Sequence, residues 1–239
     1  MKPVELIDCA YADDLALRTA TAWLDEIKSA NRSGKKGCVA LSGGRIAHKF
    51  FASAVEQAKA RNISFARIHF FWADERCVPP ADPESNFKMA NELLLAPLQI
   101  PENQVHRIRG EESPEAAVKI AETELRQLAT KNKNDFPVLD LIFLGMGEDG
   151  HVASLFPDRS EGASPKEIFC TVKNSPKPPP VRVSLSYEAI ASAKEVWVLA
   201  SGPGKEKALR ESLNSSGETP LARVIQSRSC TRIFTDIKI

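Results

Sequence analysis

Apolar residues along this chain fall into two rhythms that take turns. Short strand-like runs stand at GCVALS (37–42), ARIHFFWA (66–73), LDLIFLGMG (139–147), IFCTV (168–172), EVWVLAS (195–201) and TRIFTD (231–236), LDLIFLGMG being the clearest buried one, and VELIDC (4–9) and VRVSLS (181–186) also read as strands. Between the runs, apolar residues recur every three to four positions. Asp13 and Asp14 open the first such stretch, whose apolar face includes Leu17, Leu24 and Ile27. Further helices are predicted over 46–60, from a Ser85 N-cap through FKMANELLL, over 114–128 behind Pro114, and over 187–193, 205–214 and 221–226. Early carboxylates, a serine cap and an early proline all suit a helix start, where backbone N–H groups have no partner. Strands alternating with helices predict an α/β fold, a mostly parallel sheet with helices on both faces. Residues 1–239 read as a single domain, with SPKPPP (175–180) a stiff loop within it.

Composition narrows the function classes. The 239 residues carry 32 Lys and Arg against 31 Asp and Glu, a net charge of +1, so no basic surplus is present to hold a nucleic-acid backbone. No apolar run approaches the length of about 18 residues that a membrane helix needs, and the acidic N-terminal stretch lacks the apolar centre of a signal peptide. Neither nucleic acid nor membrane is therefore an expected partner. The five cysteines are odd in number and none has metal-ligand spacing, which points to free thiols in a reducing compartment, hence the cytoplasm, and to no metal site. The glycine loop at 41–50 lacks both the G-x-G-x-x-G and the Walker pattern, no nucleotide motif fits, and no cofactor is implied.

In open α/β sheets, ligands sit beyond the carboxyl ends of the strands. Four loops fall there. LSGGRIAHKF (41–50) runs from strand through Gly43 and Gly44 into a helix, and reads equally as a tight turn or a phosphate cradle. Asp74, Glu75 and Arg76 follow the 66–73 strand as a charged cluster or a solvated turn. LGMGEDGHVASLFP (144–157) places His151 among glycines and two residues after Asp149, a setting suited to proton transfer, before a short helical stretch. SGPGKEKAL (201–209) puts Lys205 at a helix start, where a cation opposes the dipole unless an anion lies nearby. His48, His69 and His106 read as structural or surface residues, and Cys77 as a small buried side chain. Together the loops offer a phosphate site with acid–base chemistry beside it.

Three of these stretches resemble the 6-phosphogluconolactonase family. LGMGEDGHVASLFP is similar to its signature. ADERCVPPADPESNFKMANELLL resembles its second motif, and SPKPPPVRVSLSYEAIASAKEVWVLASGPGKEKAL its third. The resemblance implies a modified Rossmann-like sheet shared with glucosamine-6-phosphate deaminase and ribose-5-phosphate isomerase. It also implies hydrolysis of 6-phospho-D-glucono-1,5-lactone in the pentose phosphate pathway, a sugar-phosphate lactone being the partner. By motif position, His151 matches the general base, and Asp149 and Asp74 match groups that orient the base or the sugar. Ser42, Gly43, Gly44, Arg76, Arg182 and Lys205 match the substrate and phosphate pocket. The family's first loop usually reads Ser-Gly-Gly-Ser-Thr-Pro. Here Arg45, Ile46 and Ala47 replace its last three residues. Arg45 is either solvent-facing or a two-pronged substitute for the lost hydroxyls.

Two other readings stay open. The related deaminases continue past Asp-Gly-His with a motif resembling Phe-Asn-Glu-Pro and carry a tyrosine at the position of Arg76. This chain has Ser154-Leu155-Phe156-Pro157 and the arginine. A non-catalytic sugar-phosphate-binding protein on the same fold is the second.

Overall fold

The computed structural model describes residues 4–239. In chain order it runs β1 (Val4–Asp8), α1 (Ala12–Ser33), β2 (Gly37–Leu41), α2 (Arg45–Ala60), β3 (Ile68–Trp72), β4 (Asp74–Arg76) and α3 (Asn86–Ala90). Then come α4 (Pro114–Leu128), a small hairpin of β5 (Thr130–Lys131) and β6 (Pro137–Val138), β7 (Leu141–Gly145), β8 (Phe169–Val172) and β9 (Arg182–Leu185). The chain finishes with α5 (Tyr187–Ser192), β10 (Glu195–Ala200), α6 (Glu206–Leu213), α7 (Pro220–Ser227) and β11 (Thr231–Thr235).

The main sheet has the order β1-β11-β10-β7-β2-β3, and every neighbouring pair is parallel. Strands buried on both faces need continuous apolar sequence, and β2 and β7 supply it: Val39, Ala40, Leu41, Ile142 and Phe143 are all buried. Helices flank this sheet. Trp23 of α1 and Phe50 of α2 meet Phe143 of β7 with ring centroids 5.2 and 4.7 Å apart. Such aromatic packing adds specific geometry to the burial. Leu17 departs from expectation. It lies on the exposed side of α1, and Leu15, Trp23, Leu24 and Ile27 form the inward face.

Three other departures concern pairing. IFCTV and VRVSLS are strands, but they leave the parallel sheet and form an antiparallel trio with β4, in the order β4-β9-β8. Asp74-Glu75-Arg76 is thus a short strand at one edge of that trio rather than a solvated turn, and Asp74 and Glu75 are buried. The stretch after His151 is not helical. It closes through a Val152–Leu155 bridge and turns.

The topology fixes where a ligand can bind. From β2 the chain steps outward to β3 and later returns on the other side of β2 as β7. Connections leave β2 and β7 in opposite directions, which opens a crevice at their carboxyl ends. No helix of the described residues is long and apolar enough to cross a membrane.

Candidate active site

A cavity of about 270 Å³ fills that crevice. Its lining includes Ser42, Gly43, Gly44, Arg45, Asp74, Arg76, His151, Arg182 and Lys205. The loops after β2, β7 and β10 and the antiparallel trio therefore converge. Of the sequence-predicted residues, Asp149 alone does not line the cavity. It stands behind His151, with its Oδ1 2.5 Å from Nδ1 of the imidazole.

The loop after β7 is built around that pair. The Gly147 N–H donates to the His151 carbonyl at 2.9 Å, folding the loop back on itself. A Cβ on Gly147 would lie 2.0 Å from His151 Nδ1 and 2.6 Å from Asp149 Oδ1, so only glycine leaves room for the imidazole–carboxylate contact. Burial acts to raise the Asp149 carboxyl. The His151 hydrogen bond and charge, with backbone N–H groups, outweigh it and pull the carboxyl down to about 2. Asp149 thus stays ionised and holds Nδ1–H, which leaves Nε2 as the basic nitrogen. Phe156 packs against the imidazole, with centroids 4.7 Å apart.

The opposite wall comes from β4, α3 and β9. Asp74 Oδ2 accepts from the Ser154 hydroxyl at 2.6 Å, and the Asn86 amide donates to the Asp74 carbonyl at 2.9 Å. Asn86 also faces the first glycine loop. A Cβ on Gly43 would stand 1.9 Å from Asn86 Oδ1. Arg182 is 4% exposed and is held by the carbonyls of Lys177, Pro178 and Pro179. Its Nη1 lies 3.4 Å from Ser154 Oγ. Burial lowers the Arg182 guanidinium from its ordinary value, with Asp74 opposing.

Glu75 points away from the cavity and builds its wall. Its Oε1 accepts from the Arg76 and Asn86 backbone N–H groups, both at 2.8 Å. Its Oε2 accepts from Phe87 N–H at 2.7 Å and from Ser85 Oγ–H at 3.1 Å. One buried carboxylate thereby clasps β4 to the start of α3 and fixes Asp74, Arg76 and Asn86 relative to one another. Burial pushes this carboxyl up to about 6, and the three N–H donors limit the rise.

The cationic end is looser. Ser42 commits its hydroxyl to the Phe143 carbonyl at 2.7 Å, so its side chain serves the β2–β7 junction. Arg76 donates to the Glu84 carbonyl and lies 3.6 Å from the Glu84 carboxylate. Its Nε is buried with no partner among the described residues. Arg45, in the first turn of α2, has an 83% exposed side chain and lies 3.8 Å from Glu148. Lys205 precedes α6. Burial lowers its ammonium from the ordinary value, and the neighbouring Arg45 charge adds to the effect.

Asn86 and Ser154 were not singled out by sequence reasoning, and Glu75 was read only as one of a charged triplet. The Ser85-Asn86 pair belongs to the second motif, which was the available signal for Asn86. The other histidines lie outside the cavity. His69 Nδ1 and His106 Nε2 are 3.0 Å apart, with Glu124 beside His106 at 3.1 Å, and His48 is exposed on α2. All five cysteines are free, and Cys77 is partly rather than fully buried.

The chain belongs to the glucosamine-6-phosphate isomerase/6-phosphogluconolactonase family, whose model matches residues 10–233. It is similar to 6-phosphogluconolactonase of Streptomyces coelicolor, with 34% identity over 210 residues covering 85% of this chain and 80% of that one. It is 38% identical over 204 residues to chloroplastic 6-phosphogluconolactonase 3 of Arabidopsis thaliana. That match covers 83% of this chain and 62% of the plant protein, so the chain spans less than two thirds of its length. Among solved structures, 6-phosphogluconolactonase of Leishmania guyanensis superposes with a TM-score of 0.85 at 26% identity, covering 98% of this chain and 96% of that one. A monomeric glucosamine-6-phosphate deaminase shares the fold, with a TM-score of 0.80 at 20% identity and coverage of 97% of each chain.

Proposed function

We propose that this protein hydrolyses 6-phospho-D-glucono-1,5-lactone to 6-phospho-D-gluconate, with His151 as general base. The observation that carries the reading is the Asp149–His151 pair beside a cavity that Arg45, Arg76 and Lys205 also line. Relatives named 6-phosphogluconolactonase support the choice of substrate.

A lactone is an ester with an accessible carbonyl, so the chain must activate water, steady the oxyanion and hold the ring. Neutral His151 takes a proton on Nε2 as water oxygen bonds to C1. Asp149 keeps the other ring nitrogen protonated and steadies the imidazolium. The bond from C1 to the ring oxygen then breaks, and the imidazolium returns its proton to that oxygen, leaving an open-chain acid. Donor groups lining the cavity near His151 meet the developing negative charge. Asp74, fixed by Ser154 and Asn86, orients sugar hydroxyls. The phosphate lies against the start of α2 with Arg45, Arg76 and Lys205, where helix N–H groups and fixed cations favour an anion. Binding energy so far from C1 places the carbonyl beside His151.

The test is a rate. Purified protein should hydrolyse the phosphorylated lactone faster than buffer does, and should release no ammonia from glucosamine 6-phosphate. A folded protein that leaves the spontaneous lactone rate unchanged overturns the reading, and ammonia release would transfer it to the deaminase branch.

A further inference from the structure

The mouth of the cavity carries a carboxylate that the proposed chemistry does not use. Glu148 sits on the loop after β7, one residue before Asp149. Its Oε1 lies 3.8 Å from Arg45 Nη2. Its Cγ and Cδ lie 3.8 Å from the point where a Cβ on Gly204 would stand, so it borders the turn that presents Lys205. Glu148 is therefore flanked by two of the cations assigned above to the phosphate. These cations disfavour each other. Burial lowers the Lys205 ammonium most, the Arg45 charge lowers it further, and Glu148 acts in the opposite direction. α2 adds to the positive field, because its first turn has no acidic residue and no side chain caps it.

We propose that Glu148 is an internal competitor for the phosphate-binding cations, setting how tightly the cavity holds a phosphate and easing departure of the phosphorylated product. The inference rests on the phosphate end being where the proposed function puts it. When no ligand is bound, the Glu148 carboxylate neutralises part of the charge on Arg45 and Lys205. An incoming phosphate takes those cations over and meets the repulsion of Glu148 at the same time. Both effects weaken binding at the phosphate end, for substrate and product alike. The product gains a carboxylate on ring opening and so carries one more negative charge than the lactone. A site with uncompensated cations would hold it longest. The Glu148 side chain is 62% exposed and Arg45 83%, so the coupling is that of a screened surface pair, about two- to fivefold in affinity.

Glu148→Gln keeps the shape and removes the charge. The measurement is the inhibition constant of inorganic phosphate against hydrolysis of 6-phosphogluconolactone, for wild type and variant, at low ionic strength and again with about 0.5 M salt added. The expected result is a two- to fivefold lower inhibition constant and a parallel fall in KM for the variant, both shrinking at high salt. An inhibition constant that is unchanged or raised, in a variant whose wild type responds to phosphate, overturns the competitor role and leaves the proposed function standing. A raised constant would mean that Glu148 holds Arg45 in its working position. A wild type that hydrolyses the lactone yet is blind to phosphate overturns both the inference and the phosphate end of the site.

Discussion

Glu75→Gln tests how the wall of the cavity is held. The substitution keeps the side-chain shape and exchanges one acceptor oxygen for an NH2 group. With the amide oxygen on the side of Arg76 and Asn86, the NH2 faces the Phe87 N–H that the carboxylate accepts at 2.7 Å. The Ser85 hydroxyl must turn to accept rather than donate, although it already accepts from Lys88 N–H. A buried donor left unpaired costs about 1–3 kcal/mol. Against this, glutamine spares the molecule a buried charge. Burial raises the Glu75 carboxyl from 4.5 to about 6, so the native state binds this proton more tightly than the unfolded chain does. Between those two values the native state holds more protons, and its stability falls as pH rises, by about 2 kcal/mol across the window. The variant has no such titration. Its destabilisation relative to wild type should therefore be larger at pH 4.5 than at pH 7.5, by about 2 kcal/mol. Urea unfolding of both proteins at the two pH values measures this, and titration of all other groups cancels in the difference. Equal penalties at both values, or a larger penalty at pH 7.5, would refute the reasoning.

Three further outcomes follow from the same geometry. Ser154→Ala removes the hydroxyl that Asp74 accepts at 2.6 Å, a buried bond to a charged group, so unfolding free energy should fall by about 1.5–3 kcal/mol. It should also lower kcat/KM about tenfold as Asp74 loses its fixed position, and a variant normal in both measurements counts against the network. Arg228 is buried and donates to the carbonyls of Ile190, Ala191, Ala193, Lys194 and Cys230. Arg228→Ala should cost roughly 3 kcal/mol or more in urea unfolding because several carbonyls lose a charged donor together, while kcat of the folded fraction stays near wild type. Finally, no three His, Cys, Asp or Glu side chains gather closely enough among the described residues to hold an ion. Incubation with EDTA should therefore leave lactone hydrolysis unchanged, and recovery of a lost activity by one divalent ion would contradict this.

Much of this architecture was legible in the sequence because parallel strands buried on both faces leave an unmistakable apolar run. β2, β7 and β10 do so most plainly. The antiparallel trio was not legible as such. The runs at 168–172 and 181–186 look like any strand, and nothing in their sequence says that they pair antiparallel with each other or that 181–186 also takes the charged segment Asp74–Arg76 as a partner. The site divides in the same way. Gly43, His151 and Lys205 stand out because several glycine-flanked strand ends occur together, although Gly43 alone reads equally as a tight turn and Lys205 alone as an exposed side chain. Glu75, Asn86 and Ser154 do not, because each owes its role to a contact that the chain closes across a distance. Ser154 meets Asp74 across 80 positions, and Glu75 meets Phe87 across 12. Arg45 is a third case. Sequence offered a solvent-facing arginine or a phosphate grip, and the structure places its guanidinium largely exposed beside Glu148, within the cavity lining.

The central claim is that His151, held by Asp149, moves the proton in lactone hydrolysis. The most direct measurement is kcat for 6-phosphogluconolactone in wild type and in His151→Ala, each corrected for the spontaneous rate, with circular dichroism to confirm that both are folded. Wild type should exceed buffer, and the variant should lose at least ~100-fold in kcat, the low end for removal of a general base. A folded variant that turns over at close to the wild-type rate would contradict the account and move the proton transfer to another group, Asp74 first.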